Sequence, residues 1–317
     1  MTFKPAKITL VPDEDGCLSF QSETGERVRI LKDSISESGH RLTTMELTFY
    51  RGVLAEFNTH RVFSRNSASS RAIPTMKMIK QVLDNPYVPS YWGAYQSGMQ
   101  AHTEMNDVEE AKKNWIDGSV SAVNTAMTLL FGGDWKNAVV KYGVRGAFTL
   151  FDLGKVSPSQ SSPHKQIVNR VLEPYLWHTV IVSATEYNNF FDLRADEDAD
   201  PAIQQLAYTM KKAYDTSLPE PVEAGEWHMP LIREEDISEH ENTNSLKKIS
   251  SARCARVSYL THDGKRDHRA DLELYRKLVT GKPHASPLEH VATPARDGDY
   301  ILGNFSGWHQ YRAEVFG

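Results

Sequence analysis

The segment His60–Arg71 reads H-R-V-F-S-R-N-S-A-S-S-R. It places Arg61, Arg65 and Arg71, four serines, Asn66 and His60 within twelve residues, with no Asp or Glu among them. Guanidinium forks match phosphate oxygens two at a time, and serine hydroxyls with loop N–H groups satisfy the remaining lone pairs. An apolar run, T-F-Y-R-G-V-L-A-E-F-N-T, leads into the segment, and Pro74 closes it. A donor-only segment hinged on an apolar element suits a phosphorylated ligand. A solvated basic loop is the plainer alternative, but spaced Ser/Asn/Ser/Arg is an odd way to build a loop that is merely soluble.

Other polar residues are weighed in the same way. Arg170 and His178 sit in an apolar helical pattern, where His178 alone reads as a buried, satisfied histidine. Arg194 follows F-F-D-L and precedes an acid run, so its plainer reading is an exposed salt bridge to Asp192, Asp196 or Glu197, which contributes little. Cys254, in S-A-R-C-A-R-V, has arginines that could lower a thiol pKa, although a small buried residue is the more ordinary reading. His284 and His290 are six apart with Glu289 between them, the wrong spacing for two zinc ligands on one helical face, and no metal site is expected. Neither G-x-x-x-x-G-K-[ST] nor G-x-G-x-x-G occurs. What remains is an arginine-rich anion site plus the aromatic stretch Y-V-P-S-Y-W-G-A-Y-Q-S-G-M-Q, which together suit a nucleotide or a flavin.

The chain of 317 residues can bury a large core, as one elaborate domain or two modest ones. With 40% hydrophobic and 24% charged residues, it has the composition of an ordinary globular protein. A net charge of −5 argues against a general nucleic-acid binder, which needs a basic footprint. Two cysteines, Cys17 and Cys254, are too few for a disulfide framework. The start, M-T-F-K-P-A-K-I-T-L-V, has no apolar signal core and no long run is free of charge, so a cytoplasmic enzyme without membrane contact is expected.

The elements that must position these residues follow from periodicity. Residues 1–50 read as β-rich around Ile8, Ile30 and Phe49. Leu54–His60 reads as a helix into the arginine segment, and a short amphipathic helix around Met78 ends at Asn85-Pro86. A long helix runs from Asp107 to Leu130, with acids early and Gly132-Gly133 at its end. A second long helical signal follows the Ser/Pro loop at 157–163, with Pro174 as a kink. The pattern breaks at 188–201 before another amphipathic helix. Segment 217–245 reads as a connecting excursion, followed by helices at Leu246–Arg256 and Asp271–Val279.

At this point the residues resemble a family. H-R-x-x-S-x-N-x-x-S-x-R at 60–71 resembles the signature of flavin-dependent thymidylate synthases, R-H-R-x-x-S-x-N-E-x-S-x-R. N-x-F-x-x-L-R-A-D at 188–196, A-R-x-A-R-V-S-Y at 252–259 and H-x-S-P-L-E-H at 284–290 extend the likeness. The last two belong near that family's N-terminus, so the chain resembles a circularly permuted member. The resemblance implies an α/β (α+β) fold, a central mixed or antiparallel sheet flanked by long helices. It divides the chain into 1–216, a connection at 217–245 and a flavin-side part at 246–317, integrated as one domain.

It also implies a methyltransferase that uses FAD, NADPH as reductant and methylenetetrahydrofolate to methylate C5 of dUMP without a cysteine nucleophile. The partners are then small-molecule nucleotide and folate substrates, and the assembly is a homotetramer with active sites at subunit contacts. By motif, Ser69, Arg71 and Arg170 hold the nucleotide phosphate, with Glu56 beside the nucleotide. Arg194 contacts the pyrimidine and stabilises charge as N3 loses its proton. His60, Arg61, Ser64, Asn66, Asn189, His284, Ser286 and Glu289 line the flavin. Thr59, Ser67 and Ala72 depart from the signature, and Ser183 stands where a flavin-side Asn is expected. Arg312, in the terminal W-H-Q-Y-R, is the candidate to replace the cation missing at Thr59. Glu56 stands where the family has Gln, and a carboxylate there would accept from a cytosine amino group. That opens dCMP as substrate, with a methyl or hydroxymethyl product; a non-catalytic flavin or nucleotide binder is the alternative of another class.

Overall fold

In the computed structural model, β-branched and aromatic residues alternate with polar ones through the first fifty residues and build four strands. They are β1 (Ile8–Leu10), β2 (Leu18–Ser22), β3 (Arg27–Ser36) and β4 (Arg41–Tyr50). A 3-10 turn, Arg51–Val53, runs into the one-turn helix α1 (Leu54–Phe57), and β5 (Ser64–Ser67) follows. Helices α2 (Thr75–Asp84), α3 (Val108–Phe131), α4 (Gly133–Asp152) and α5 (Lys165–Val168) come next, then a 3-10 stretch at Asn169–Tyr175 and β6 (Trp177–Ala184). Helices α6 (Asn188–Arg194) and α7 (Pro201–Thr216) precede β7 (Glu220–Val222), α8 (Glu234–Glu239), α9 (Thr243–Arg256) and α10 (His268–Val279). A 3-10 turn at Ser286–His290, β8 (Ala292–Pro294), β9 (Trp308–Gln310) and α11 (Tyr311–Phe316) complete the order. The structure describes residues 3–152, 157–158, 161–239, 242–257, 266–296 and 303–317. Ser258 and Tyr259, the last two positions of the 252–259 motif, lie outside the described residues.

The chain divides into two compact units, neither continuous in sequence. The first comprises Met1–Lys4, Tyr50–Ala55 and Ser69–His178; the second comprises Pro5–Phe49, Glu56–Ala68 and Thr179–Gly317. In the first unit, Asp107 caps α3 through the Glu110 N–H, and Glu109 and Glu110 occupy its positive first turn. Gly132, at φ +56, ends it. Val123, Ala126, Met127, Trp135, Phe148 and Phe151 are buried between α3 and α4. Helix α4 is interrupted at Gly143 (φ +68), which breaks its helical pattern in two.

The long helix expected after residue 164 does not form. Lys165–Val168 makes one turn and Asn169–Tyr175 tightens into 3-10 around Pro174, which has no N–H to continue the ladder. The β-branched run Thr179–Val182 then extends as β6, placing Arg170 on the 3-10 turn and His178 on a strand. The helix expected over Leu54–His60 ends at Phe57, and the expected break at 188–201 instead begins with the helix α6. Both departures trace to Phe side chains that bury where polarity dominates the local pattern.

In the second unit the sheet order is β1-β2-β3-β4-β6-β5, with β7 parallel to β3 on the edge that β2 leaves free. The β1–β2, β2–β3, β3–β4 and β5–β6 pairs are antiparallel. Helix α7 packs over β2 and β3, burying Ile203, Leu206 and Met210. Leu31 and Ile181 meet Cys254 and Val257, at the end of α9, in another buried cluster. Burial drives the Cys254 thiol pKa upward against the opposing charge of Arg253, which leaves it a core residue rather than a nucleophile. Strand β7 and helix α8 lie within 217–245.

Two buried ion clusters tie distant segments of this unit. Arg29 bonds Asp13 at 2.6 Å, Asp15 at 2.7 Å and its cross-strand neighbour Glu46 at 2.8 Å. Asp236 receives Arg253 through both oxygens at 2.6 and 2.8 Å, with Arg266 and His268 each at 2.7 Å. Arg253 also donates to Asp271 and to the carbonyl of Leu231, a residue held at φ +64. Burial alone would raise the Asp236 pKa, but hydrogen bonds from Arg253 and His268 outweigh it and hold the carboxyl well below its ordinary range. Removing that carboxylate takes the shared counter-charge from Arg253, Arg266 and His268, leaving Arg253 with Asp271 alone and His268 with Glu239. Asp236→Ala is expected to cost about 3–5 kcal/mol of stability by chemical denaturation; a loss under 1 kcal/mol would mean the cluster carries no net stabilisation.

Candidate functional site

Burial of the phenylalanines shapes the basic segment within the second unit. Phe57 and Phe63 are buried with Phe190 of α6, their ring centroids 5.4–5.8 Å apart. His60 lies edge-on to Phe190 at 4.9 Å. With Phe63 turned inward, Arg61 is exposed, and β5 continues as an edge strand that pairs Ser64 with Ser183 and Asn66 with Ile181. Ser64 and Asn66 therefore share one buried face of β5, while Arg65 turns the other way and donates to the carbonyls of Phe57 and His60.

Behind Ser64's hydrogen-bond partners lies a cavity of about 570 Å³. Its lining includes Arg61, Phe63, Glu289, Asn304, Gln310 and Arg312. Gln310 donates to Ser64 Oγ at 3.1 Å and to Asn304 Oδ1 at 3.1 Å. On the 3-10 turn Ser286–His290, Leu288 and His290 bury completely, which leaves Glu289 turned to the cavity, where Arg312 pairs with it. Helix α11, which carries Arg312, is held by buried Tyr311 and by a Lys247–Glu314 pair at 2.8 Å. Two guanidiniums, one carboxylate, two primary amides and aromatic rings thus converge on one space.

Arg194, on the last turn of α6, donates through Nε to His60 Nε2 at 3.1 Å and through Nη2 to Thr59 Oγ1 at 3.3 Å. The expected surface salt bridge to Asp192, Asp196 or Glu197 is absent among the described residues. Because His60 Nε2 accepts, its proton sits on Nδ1. Burial, with the charges of Arg194 and Arg65 adding to it, lowers the His60 pKa to about 4. Thr59, at the position where the family signature has arginine, is the acceptor that completes the Arg194 clamp, with its own hydroxyl also reaching the Glu56 carbonyl at 2.6 Å. Glu56 is half-buried, and its Oε2 is buried with no hydrogen-bond partner among the described residues.

Of the residues expected at a flavin, the structure gathers Arg61, Glu289 and Arg312 in the cavity, with Ser64 bonded to its wall. Asn189, His284 and Ser286 are exposed and join none of these contacts. Asn304 and Gln310 were not singled out from sequence; amides carry no distinctive spacing, and only the fold aims them.

Ser69, Arg71 and Arg170 belong to the first unit. There Asn169, fully buried, donates to the carbonyls of Ser70 at 2.6 Å and Ile73 at 3.0 Å, and Lys165 donates to that of Ala72 at 2.8 Å. Three carbonyls of the Ser69–Ile73 turn are thereby clamped by the same stretch that presents Arg170. Arg71 and Arg170 are exposed. In the same unit Arg51 bridges His178 Nδ1 at 3.0 Å and Glu173 at 3.0 Å, so His178 is buried as expected and is bonded through Nδ1.

Fold and site define a mixed α/β protein, 47% helical with an antiparallel sheet, and a cationic cavity at the sheet's edge-strand end. No helix among the described residues is long and apolar enough to cross a membrane. No protein-family model matches the chain, and no curated protein is similar to it in sequence.

Buried neutral histidines make stability depend on pH. His60 is lowered to about 4, and burial lowers His178 and His290 to about 3. The unfolded chain takes up protons near pH 6.5 that the native state refuses, so stability is complete above that pH and is lost as pH falls toward 4 and below. Each histidine contributes a slope of about 1.4 kcal/mol per pH unit inside its window, and Asp200, raised by burial, acts in the opposite direction. Urea unfolding at pH 7, 5.5 and 4.5 should show a steady decline; equal midpoints would contradict the neutral, buried state of these rings.

Proposed function

We propose that this chain is a flavin-dependent pyrimidine deoxynucleotide C5-methyltransferase related to the flavin-dependent thymidylate synthases, in rearranged order. Its simplest reaction converts dUMP, methylenetetrahydrofolate, NADPH and a proton to dTMP, tetrahydrofolate and NADP⁺. The observation that carries the reading is Arg194: a half-buried guanidinium clamped by neutral His60 and Thr59, without a carboxylate partner among the described residues. A cation fixed in this way, with its charge uncompensated, suits stabilising negative charge that develops on a pyrimidine ring as N3 loses its proton. Neutral His60 matters here, because an imidazolium would repel the guanidinium it orients.

The cavity residues fit FAD. Arg61 and Arg312 offer forks to phosphate oxygens, the Asn304 and Gln310 amides suit a heterocycle edge, and Phe63 offers an apolar face. When bound, FAD reduced by NADPH supplies the electrons that bring a one-carbon unit to the methyl level. Ser69, Arg71 and Arg170 are the residues assigned to the nucleotide phosphate. The family resemblance brings with it a homotetramer and a cytoplasmic location.

A second reading of the substrate rests on Glu56. A buried carboxylate oxygen with no partner is costly, and an exocyclic amino group is a fitting donor for it. That favours dCMP, with a C5-modified dCMP as product.

Anaerobic turnover with FAD, NADPH and methylenetetrahydrofolate, offering dUMP and dCMP separately and weighing the products, tests both. Product from dUMP supports the thymidylate synthase reading; product from dCMP alone moves the weight to Glu56. Bound flavin with no product from either overturns the methyltransferase. Arg194→Ala is expected to lower kcat/KM by about a hundredfold or more, and an unchanged value removes its assigned role. Glu56→Gln should shift the preference from dCMP toward dUMP, since an amide can turn to suit either base; an identical ratio would show that Glu56 does not read the base.

A further inference from the structure

A continuous line of hydrogen bonds runs through the second unit and ends on Asn66, one of the residues expected at the flavin. Ser34 Oγ meets His228 Nδ1 at 2.8 Å, and His228 Nε2 meets Thr44 Oγ1 at 2.8 Å. Thr44 Oγ1 meets Ser183 Oγ at 2.5 Å, Ser183 Oγ meets His290 Nδ1 at 2.8 Å, and His290 Nε2 meets Asn66 Oδ1 at 3.3 Å. Ser34, Thr44, Ser183, His228 and His290 are all fully buried, and Asn66 is 7% exposed. All four imidazole nitrogens are engaged, and burial keeps both rings neutral.

Proton counting makes this line directional. Three hydroxyls and two neutral imidazoles hold five protons, and the line has five contacts. Every contact is filled if each group donates toward Asn66: Ser34 to His228, His228 to Thr44, Thr44 to Ser183, Ser183 to His290, and His290 to Asn66 Oδ1. The reverse sense also fills the line, but it leaves the Ser34 hydroxyl proton with no acceptor among the described residues. Mixed senses either leave the short Thr44–Ser183 contact without a proton or bury a hydroxyl hydrogen unpaired. Each such defect costs a buried hydrogen bond.

We infer that this line is a tautomer lock: it holds His228 and His290 in one shared tautomer, protonated at Nε2, and so fixes the Asn66 amide with its oxygen inward and its N–H₂ outward. Asn66 lies two residues from Ser64 on the same face of β5, and His290 follows Glu289, which lines the cavity. Asn66 Nδ2 has no partner among the described residues and is not among the buried polar atoms left unpaired. Its donor is thus kept for a ligand. Thr44, His228 and His290 are positioning residues, acting through Asn66. The identity of the ligand rests on the flavin reading above; the lock itself does not.

The full chain, labelled with ¹⁵N in its histidine rings, tests the lock by NMR at pH 7 with and without FAD, because ring-nitrogen shifts distinguish a protonated from a bare nitrogen. The two rings are identified by which signals vanish in His228→Gln and in His290→Gln. In the parent and in Thr44→Ser, His228 and His290 should both carry the proton on Nε2. In Thr44→Val the His228 Nε2–H loses its acceptor, so His228 should switch to Nδ1–H, donating to Ser34, while Thr44→Ser restores the parent state. FAD affinity should hold in Thr44→Val, where Ser183 still donates to His290, and fall about twofold in Ser183→Ala, where His290 Nδ1 loses its donor and Asn66 spends half its time turned over. Opposite tautomers in the parent overturn the inference, as does an unswitched His228 in Thr44→Val. If Thr44→Val does not fold, a signal pair read in His290→Gln and the parent still decides between shared and opposite tautomers. A parent protein that binds no FAD would sink the flavin reading and leave the tautomers to judge the lock alone.

Discussion

The requirement to bury Phe57 and Phe63 organises the most polar stretch of the chain. Each ring removes apolar area from water at about 25 cal/mol per Å², and both meet Phe190 in the second unit. Everything between and beside them takes what orientation is left. Arg61 is pushed outward, Arg65 folds back onto carbonyls, His60 lies against Phe190, and Ser64 and Asn66 alternate inward along β5. The segment therefore works as a set of donors held on a hydrophobic staple, and Arg194 comes to His60 because it lies one turn after Phe190 on the same face of α6, so that His60 meets both.

Carboxylates are distributed unevenly around this frame. Arg29, Arg41 and Arg253 take Asp13, Asp33 and Asp236 in short, largely buried contacts that join neighbouring elements. Such pairs offset their own desolvation and specify geometry more than they add stability. The exposed Arg61 and the clamped Arg194 have neutral partners or none among the described residues, and Arg312 shares a single carboxylate, Glu289. Structural cations are neutralised; those at the candidate site retain charge. That contrast separates positioning from binding more clearly than the arginine count of any segment.

The sequence was legible where side-chain periodicity and burial agree. The strands around Ile30 and Phe49, the helix from 108 to 131 with its Asp107 cap and Gly132 stop, and the helices at 201–216 and 243–256 follow from pattern and punctuation. Residues 165–184 misled because Leu172, Leu176, Val180 and Val182 match a helical stripe, while Pro174 and the β-branched run decide for 3-10 turn and strand. At the site, Arg61, Glu289 and Arg312 could be named from sequence because charge is visible there. Gln310, Asn304 and the buried Thr44–Ser183 contact could not: uncharged polar residues acquire meaning only when distant elements bring them within hydrogen-bond reach.

Strands β5 and β6 are neighbours in the sheet, and the Ala68 N–H donates to the Thr179 carbonyl at 2.9 Å. Between those two residues the chain makes the whole excursion Ser69–His178 that forms most of the first unit. Topologically, that block is an insert whose two ends are fastened one hydrogen bond apart. The entropy of closing such a loop grows only with the logarithm of its length, about 0.6 kcal/mol per doubling. The sheet of the second unit is thus nearly indifferent to how much chain is threaded between its last two strands, and this junction is where the protein can gain or shed a domain's worth of sequence at little thermodynamic cost to the edge that bears the site.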